Sequence, residues 1–205
     1  ATKDFDYYPL FRSLSDYLME TEHPVAVFTI APLEPYINRN VTFDASLSYD
    51  IDGVISSYTW DFGDGNSNTS TDSIITHTYS SATNYTVTLT VTDNAGSTGS
   101  TSKVITIFLP VRNLNTHENF SSIQEAIYDP ETNERDILEV VPGTYTENVV
   151  VNKSLTIRSA SGNPHDTIVQ AANPDEHVFE VTANSVNLSG FTLKGAAGDV
   201  KAGIY

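Results

Sequence analysis

The chemistry-bearing residues of this chain are mostly acids, and their spacing gives them little to work with. Asp61 and Asp64 flank a Gly-Asp-Gly turn with no partner acid or nucleophile at a telling distance. His23, His77, His117, His165 and His177 show no H-x-x-x-H or comparable ligand spacing, so the sequence offers no zinc site. Glu118, Glu125, Glu131, Glu134 and Glu139 crowd one region. Glycosidase or lyase chemistry needs two carboxylates, or a base and an acid, fixed across a groove. Nothing fixes such a pair here, and the cluster reads as a solvated face. No G-x-S-x-G, P-loop or G-x-G-x-x-G occurs. Asp50, Asp52 and Asp93 stand apart because they fall in or beside tight turns, where aspartate bonds its own backbone. The expectation is a chain without catalysis.

The charge balance narrows the partners. With 26 acidic against 10 basic residues the net charge is −16, which excludes a nucleic-acid surface and binding to anionic lipid. There is no cysteine, so no disulfide and no thiol chemistry. No apolar run approaches the ~18–20 residues of a membrane-spanning helix, and no membrane insertion is expected. The opening Ala1-Thr-Lys-Asp-Phe-Asp6 lacks a basic stretch followed by an apolar core, so if the protein is exported its signal is expected upstream or already removed. Six Asn-x-Ser/Thr triplets, at Asn40, Asn68, Asn84, Asn119, Asn152 and Asn187, are compatible with a glycosylated surface protein.

Three segments follow from the patterning. In residues 1–23, Phe11, Leu14, Tyr17 and Leu18 fall at i, i+3, i+6 and i+7, the spacing of a short amphipathic linker helix over about 10–20. Pro24 then opens a strand, Val25-Ala-Val-Phe-Thr-Ile30. Residues 24–108 hold dense strands and tight turns. Tyr85-Thr-Val-Thr-Leu-Thr-Val-Thr92 alternates strictly, with Tyr85, Val87, Leu89 and Val91 toward a core and the threonines toward water. Trp60, the single tryptophan, lies on a strand that ends in the Gly63-Asp-Gly65 turn. Residues 109–205 change character. Ser122 and Glu125 have capping-box spacing before a short helix at 122–128. Short strands follow at 137–141, 149–151, 154–157, 167–169, 178–181, 186–188 and 191–193, separated by Gly, Asn and Pro turns. That rhythm points to a solenoid.

The words Trp60-Asp-Phe-Gly-Asp-Gly65, His77-Thr-Tyr79 and Tyr85-Thr-Val-Thr-Leu-Thr-Val-Thr-Asp93 closely resemble the polycystic-kidney-disease (PKD) domain family. The resemblance implies an immunoglobulin-like β-sandwich with Trp60 as a core anchor and His77 packed or hydrogen-bonded inside. It also implies a Ca²⁺ site, because some members bind the ion through a D-x-D-G loop and an acid near the end of the penultimate strand. Here those positions are Asp50, Asp52 and Asp93. Ca²⁺ takes about 6–8 oxygens, so carbonyls and water would complete the set.

The words SIQEAI, VVPGTYTENVVVNKSLTIRSA and NSVNLSGFTLKGA resemble the opening of a NosD-like, pectin-lyase-type β-helix. That resemblance implies a right-handed parallel β-helix with 122–128 as its cap, Pro142-Gly-Thr-Tyr145 as the turn after the first strand, and rungs about 24–25 residues apart. Asp6-Tyr-Tyr-Pro-Leu10 resembles the closing words of such a domain, so 1–23 could also be the tail of a preceding β-helix.

The expected fold is therefore all-β: an immunoglobulin-like (PKD) sandwich plus the capped start of a right-handed parallel β-helix. The expected role is a non-catalytic spacer and interaction region of a modular extracellular, S-layer-like cell-surface protein. Its partners would be cell-surface proteins or polysaccharide, with self-association through an open β-helix end. The alternatives are an accessory and capping region of a secreted carbohydrate-active β-helix enzyme, and a carbohydrate- or protein-binding adhesin.

Overall fold

The computed structural model describes residues 22–197. The amphipathic stretch 10–20 and Asp6-Tyr-Tyr-Pro-Leu10 lie outside the described residues. The chain divides into two compact units between Ile107 and Phe108.

The first unit is an all-antiparallel sandwich. One sheet orders β1 (Thr29–Ala31), β2 (Asn40–Asp44) and β5 (Ile74–Thr78). The other orders β4 (Ser67–Ser70), β3 (Ile55–Asp61), β6 (Asn84–Asp93) and β7 (Thr98–Thr106). The alternation in β6 is realised as expected: Val87, Leu89 and Val91 are fully buried. Trp60 is fully buried too, with the Phe28 ring edge-on at 5.2 Å and the Phe43 ring tilted at 5.6 Å. Such aromatic clusters combine large apolar area with favourable ring geometry. The opposite face of the four-stranded sheet is a field of hydroxyls. Thr59 pairs with Thr69 at 3.0 Å, Thr88 with Ser102 at 2.8 Å and Thr90 with Ser100 at 2.8 Å, all across strands.

One strand is shorter than its sequence reads. Only Thr29–Ala31 joins the sheet, and Val25 makes a single antiparallel bridge with Tyr49. Between them the Ser48 hydroxyl replaces the backbone ladder, accepting from Val27 N–H at 3.0 Å and donating to Val27 C=O at 2.9 Å.

The second unit stacks parallel strands. β10 (Ile137–Val140), β13 (Thr156–Ser159) and β16 (Asn187–Ser189) form one stack. β11 (Gly143–Thr146), β14 (Thr167–Gln170) and β17 (Thr192–Lys194) form a second, and β12 (Val149–Val151) with β15 (Phe179–Val181) a third. In the second stack, Thr144, Ile168 and Thr192 are register partners on successive turns, 24 residues apart. Rungs of this kind define a parallel β-helix, with Leu138, Val140, Val149, Val151, Ile157, Val169 and Phe179 filling its interior. Of Pro142–Tyr145, expected as a turn, Gly143–Tyr145 instead belong to the strand Gly143–Thr146: Gly143 N–H bonds Asp166 C=O at 2.7 Å and starts the pairing with β14.

The entry to the solenoid is closed. β8 (Val111–Asn113) pairs antiparallel with β10, and β9 (Asn119–Phe120) with β8, so the first stack begins with a hairpin. Helix α1 (Ile123–Tyr128) has Ser122 as N-cap, whose hydroxyl accepts the Glu125 N–H at 3.1 Å. The Glu125 carboxylate turns to Ser121 N–H at 2.8 Å, one residue earlier than the reciprocal bond of a capping box.

Candidate functional site

The three aspartates of the sequence reading gather at one end of the sandwich, and each is held differently. Asp93 continues the inward phase of β6 and is buried. Its Oδ1 accepts the amides of Ala95 at 2.7 Å and Ser97 at 2.8 Å, closing the turn into β7. Asp52 Oδ2 accepts the Glu22 N–H at 3.2 Å. Asp50 Oδ1 is buried without a hydrogen-bond partner among the described residues. Desolvation, then the neighbouring carboxylates of Asp52 and Asp93, hold the Asp50 carboxyl above its ordinary range. Gly53 completes the loop because a Cβ there would stand 2.4 Å from both Asp50 Oδ2 and Asn94 Oδ1.

The fit to a divalent cation is partial. An orphaned Asp50 oxygen and mutual repulsion among acids are what a cation would relieve. Yet Asp93 commits an oxygen to its turn, and among the described residues no group of three His, Cys, Asp or Glu side chains is arranged to hold a metal ion.

Elsewhere the titratable groups hold the fold. His77 Nε2 lies 2.7 Å from Asp64 Oδ2, and its ring stacks on Phe62 at 4.0 Å. Burial would raise the Asp64 carboxyl, but hydrogen bonds from His77 and Asn66 outweigh it and bring it below the usual range. The Tyr79 hydroxyl donates to Phe62 C=O at 3.0 Å from a buried ring, and desolvation raises its pKa. His77 is thus packed and hydrogen-bonded inside the sandwich.

No sequence motif marks Glu147, the most telling acid of the second unit. Its carboxylate accepts the N–H groups of Ile123 at 3.1 Å and Gln124 at 2.9 Å, the orphan donors of the α1 N-terminus. Burial pushes its pKa up despite those two bonds. The Gln124 side chain then behaves like a strand residue. Its amide accepts from Val150 N–H at 2.6 Å and donates to Val150 C=O at 3.2 Å, occupying the edge of β12. Of the five crowded glutamates, Glu134 accepts the Ser154 N–H at 2.6 Å and Glu139 meets Arg158 at 3.0 Å. They brace neighbouring rungs.

Two packed antiparallel sheets around a buried tryptophan place the first unit in the immunoglobulin-like class. Within it, residues 21–108 match the PKD domain family, and this stretch is a PKD domain. A cell surface glycoprotein of Methanothermus fervidus is 43% identical over 95 residues, covering 46% of this chain and 15% of that protein. Collagenase ColA of Clostridium perfringens is 30% identical over 158 residues, covering 76% of this chain and 12% of that protein. The chain therefore spans less than a sixth of either relative. The crystal structure of the PKD1 domain of Vibrio anguillarum Epp is 34% identical over 43% of this chain and 96% of that one, with a TM-score of 0.38.

Proposed function

We propose that these residues form a non-catalytic spacer and interaction region of a modular extracellular protein, of the S-layer-like kind found at cell surfaces. The carrying observation is that Asp64, His77, Asp93, Asp136 and Glu147, the titratable side chains drawn into these turns and caps, are spent on holding the fold. Asp64 and His77 lock a turn, Asp93 closes another, and Glu147 caps α1. Asp136 accepts from buried Asn113 at 3.0 Å. The cell surface glycoprotein relative supports the same placement. No helix among the described residues is long and apolar enough to cross a membrane. All six sequon asparagines are exposed.

The partners of this reading are cell-surface proteins or polysaccharide. Ca²⁺ at Asp50 and Asp52, with Asp93 behind them, belongs to it as a proposal supported by the orphaned Asp50 oxygen. The test is antibody labelling of intact producing cells, paired with binding of the purified chain to isolated cell-wall polysaccharide and envelope proteins. Labelling plus retention supports the reading. Labelling only after lysis, or turnover of a polysaccharide by the chain, overturns it. A second reading, an accessory region of a secreted enzyme, is favoured by the collagenase relative. Recovery in the medium and not on cells would select it.

A further inference from the structure

Two of the six Asn-x-Ser/Thr triplets sit where the fold ends a sheet. Asn68 lies on β4 and Asn119 on β9, the terminal strands of their sheets, and both are exposed. Among the described residues β4 pairs only with β3, and β9 only with β8. Such edges present unpaired backbone groups and invite strands from other chains. The opposite edge of the four-stranded sheet is handled within the chain. Residues 24–28 run along β7, where the Lys103 ammonium donates to Phe28 C=O and Gly99 leaves room for Pro24 C=O. No comparable segment pairs with β4 among the described residues.

The two asparagines are well placed to carry a large group. Asn68 is the register partner of Trp60 and so points to the same side of its sheet, yet it is exposed because β4 overhangs the core. β4 leads through residues 71–73 into β5, the end strand of the other sheet, so a group on Asn68 stands over both edges. Asn119 faces exposed Arg112 on the hairpin that opens the solenoid, while Phe120 beside it is buried. Asn187 on β16 differs, since a further parallel rung can stack on that strand and its edge is not one to close.

We propose that Asn68 and Asn119 carry N-linked glycans that guard the β4 and β9 edges against strand addition. The inference rests on the extracellular reading above. The donor class is an oligosaccharide linked to a lipid phosphate. The asparagine Nδ2 attacks the anomeric carbon, the C–O bond to phosphate breaks, the lipid phosphate leaves with the electron pair, and an Nδ2 proton passes to solvent. Ser70 and Ser121 supply the hydroxyls that complete the two acceptor triplets. The product is bulky and solvated, which suits an exposed edge and no buried site.

The test begins with chain recovered from the surface of its producing cells, each site being read by glycopeptide mass spectrometry. Sugar mass is expected on the peptides of Asn68 and Asn119, lost at the first site in Ser70→Ala and kept in Ser70→Thr. Surface chain with either asparagine bare overturns the inference at that site and leaves the spacer reading standing. Chain found only after lysis overturns both. The guard role has its own readout. Asn68→Gln/Asn119→Gln, made in the same cells, should scatter light at a lower temperature than the parent, and so should Ser70→Ala, which keeps Asn68. Asn40→Gln, on the interior strand β2, should scatter like the parent. Identical scattering by the edge and interior variants overturns the guard role.

Discussion

Trp60 concentrates the stability of the sandwich in one side chain. It is fully buried against Phe28 and Phe43, so Trp60→Ala should cost about 3–5 kcal/mol, measured by denaturant unfolding. A loss below about 1 kcal/mol would show that neighbouring rings carry the core without it. Asp64 sets a pH dependence of the opposite kind to that of Glu147. Its folded pKa is lowered, so its contribution is full above the ordinary aspartate value near about 3.9 and is lost as pH falls through the folded value. Asp64→Asn should flatten the acid limb of the melting-temperature profile below about pH 4. Glu147 has a raised folded pKa, so its contribution is full below the ordinary glutamate value and declines as pH rises through the folded one. Carboxyl carbon NMR titration separates the two: Asp64 should titrate early and Glu147 late. Trp60 is legible as a core residue, and His77 as packed and hydrogen-bonded, because a motif names their surroundings. Glu147 is not, since its role depends on a contact 24 residues away that no local pattern encodes.

At the scale of elements, periodicity read well wherever a strand shows one face to water. β6 is the clear case, with Val87, Leu89 and Val91 buried as its alternation requires. The reading failed where backbone partners come from side chains or from distant rungs. Ser48 shortens the first strand by supplying its bonds, and Gly143–Thr146 becomes a strand only because β14 lies beside it. The Gln124 amide is the same device in reverse, a side chain closing the β12 edge. Gln124→Ala should therefore cost about 1–2 kcal/mol and speed exchange at the Val150 amide, with exchange in β6 as the internal control. Edges left open invite other strands, so this variant should also aggregate sooner on heating, which light scattering would record.

For the whole molecule, the division at Ile107 and Phe108 gives each unit its own apolar core. Residues 22–107 should thus fold alone and keep the amide NMR pattern they show in the full chain. Collapse of that fragment would mean that its core is insufficient. The calcium proposal is also tested on the whole chain. Calorimetry at millimolar Ca²⁺ should give heat with the parent and none with Asp52→Ala. No heat and no shift in melting temperature with the parent would retire it.

The closed entry to the solenoid has a consequence for how the chain is made. Ribosomes deliver roughly 5–20 residues per second, N-terminus first. The helix-capping bonds span 23 to 26 residues, from Ile123 and Gln124 to Glu147 and Val150. Each partner therefore emerges about 1–5 seconds after the group it meets. The plug is finished while later rungs are still being synthesised, and every new strand finds a template already waiting. Construction proceeds as a one-way zipper, started by a glutamate and a glutamine.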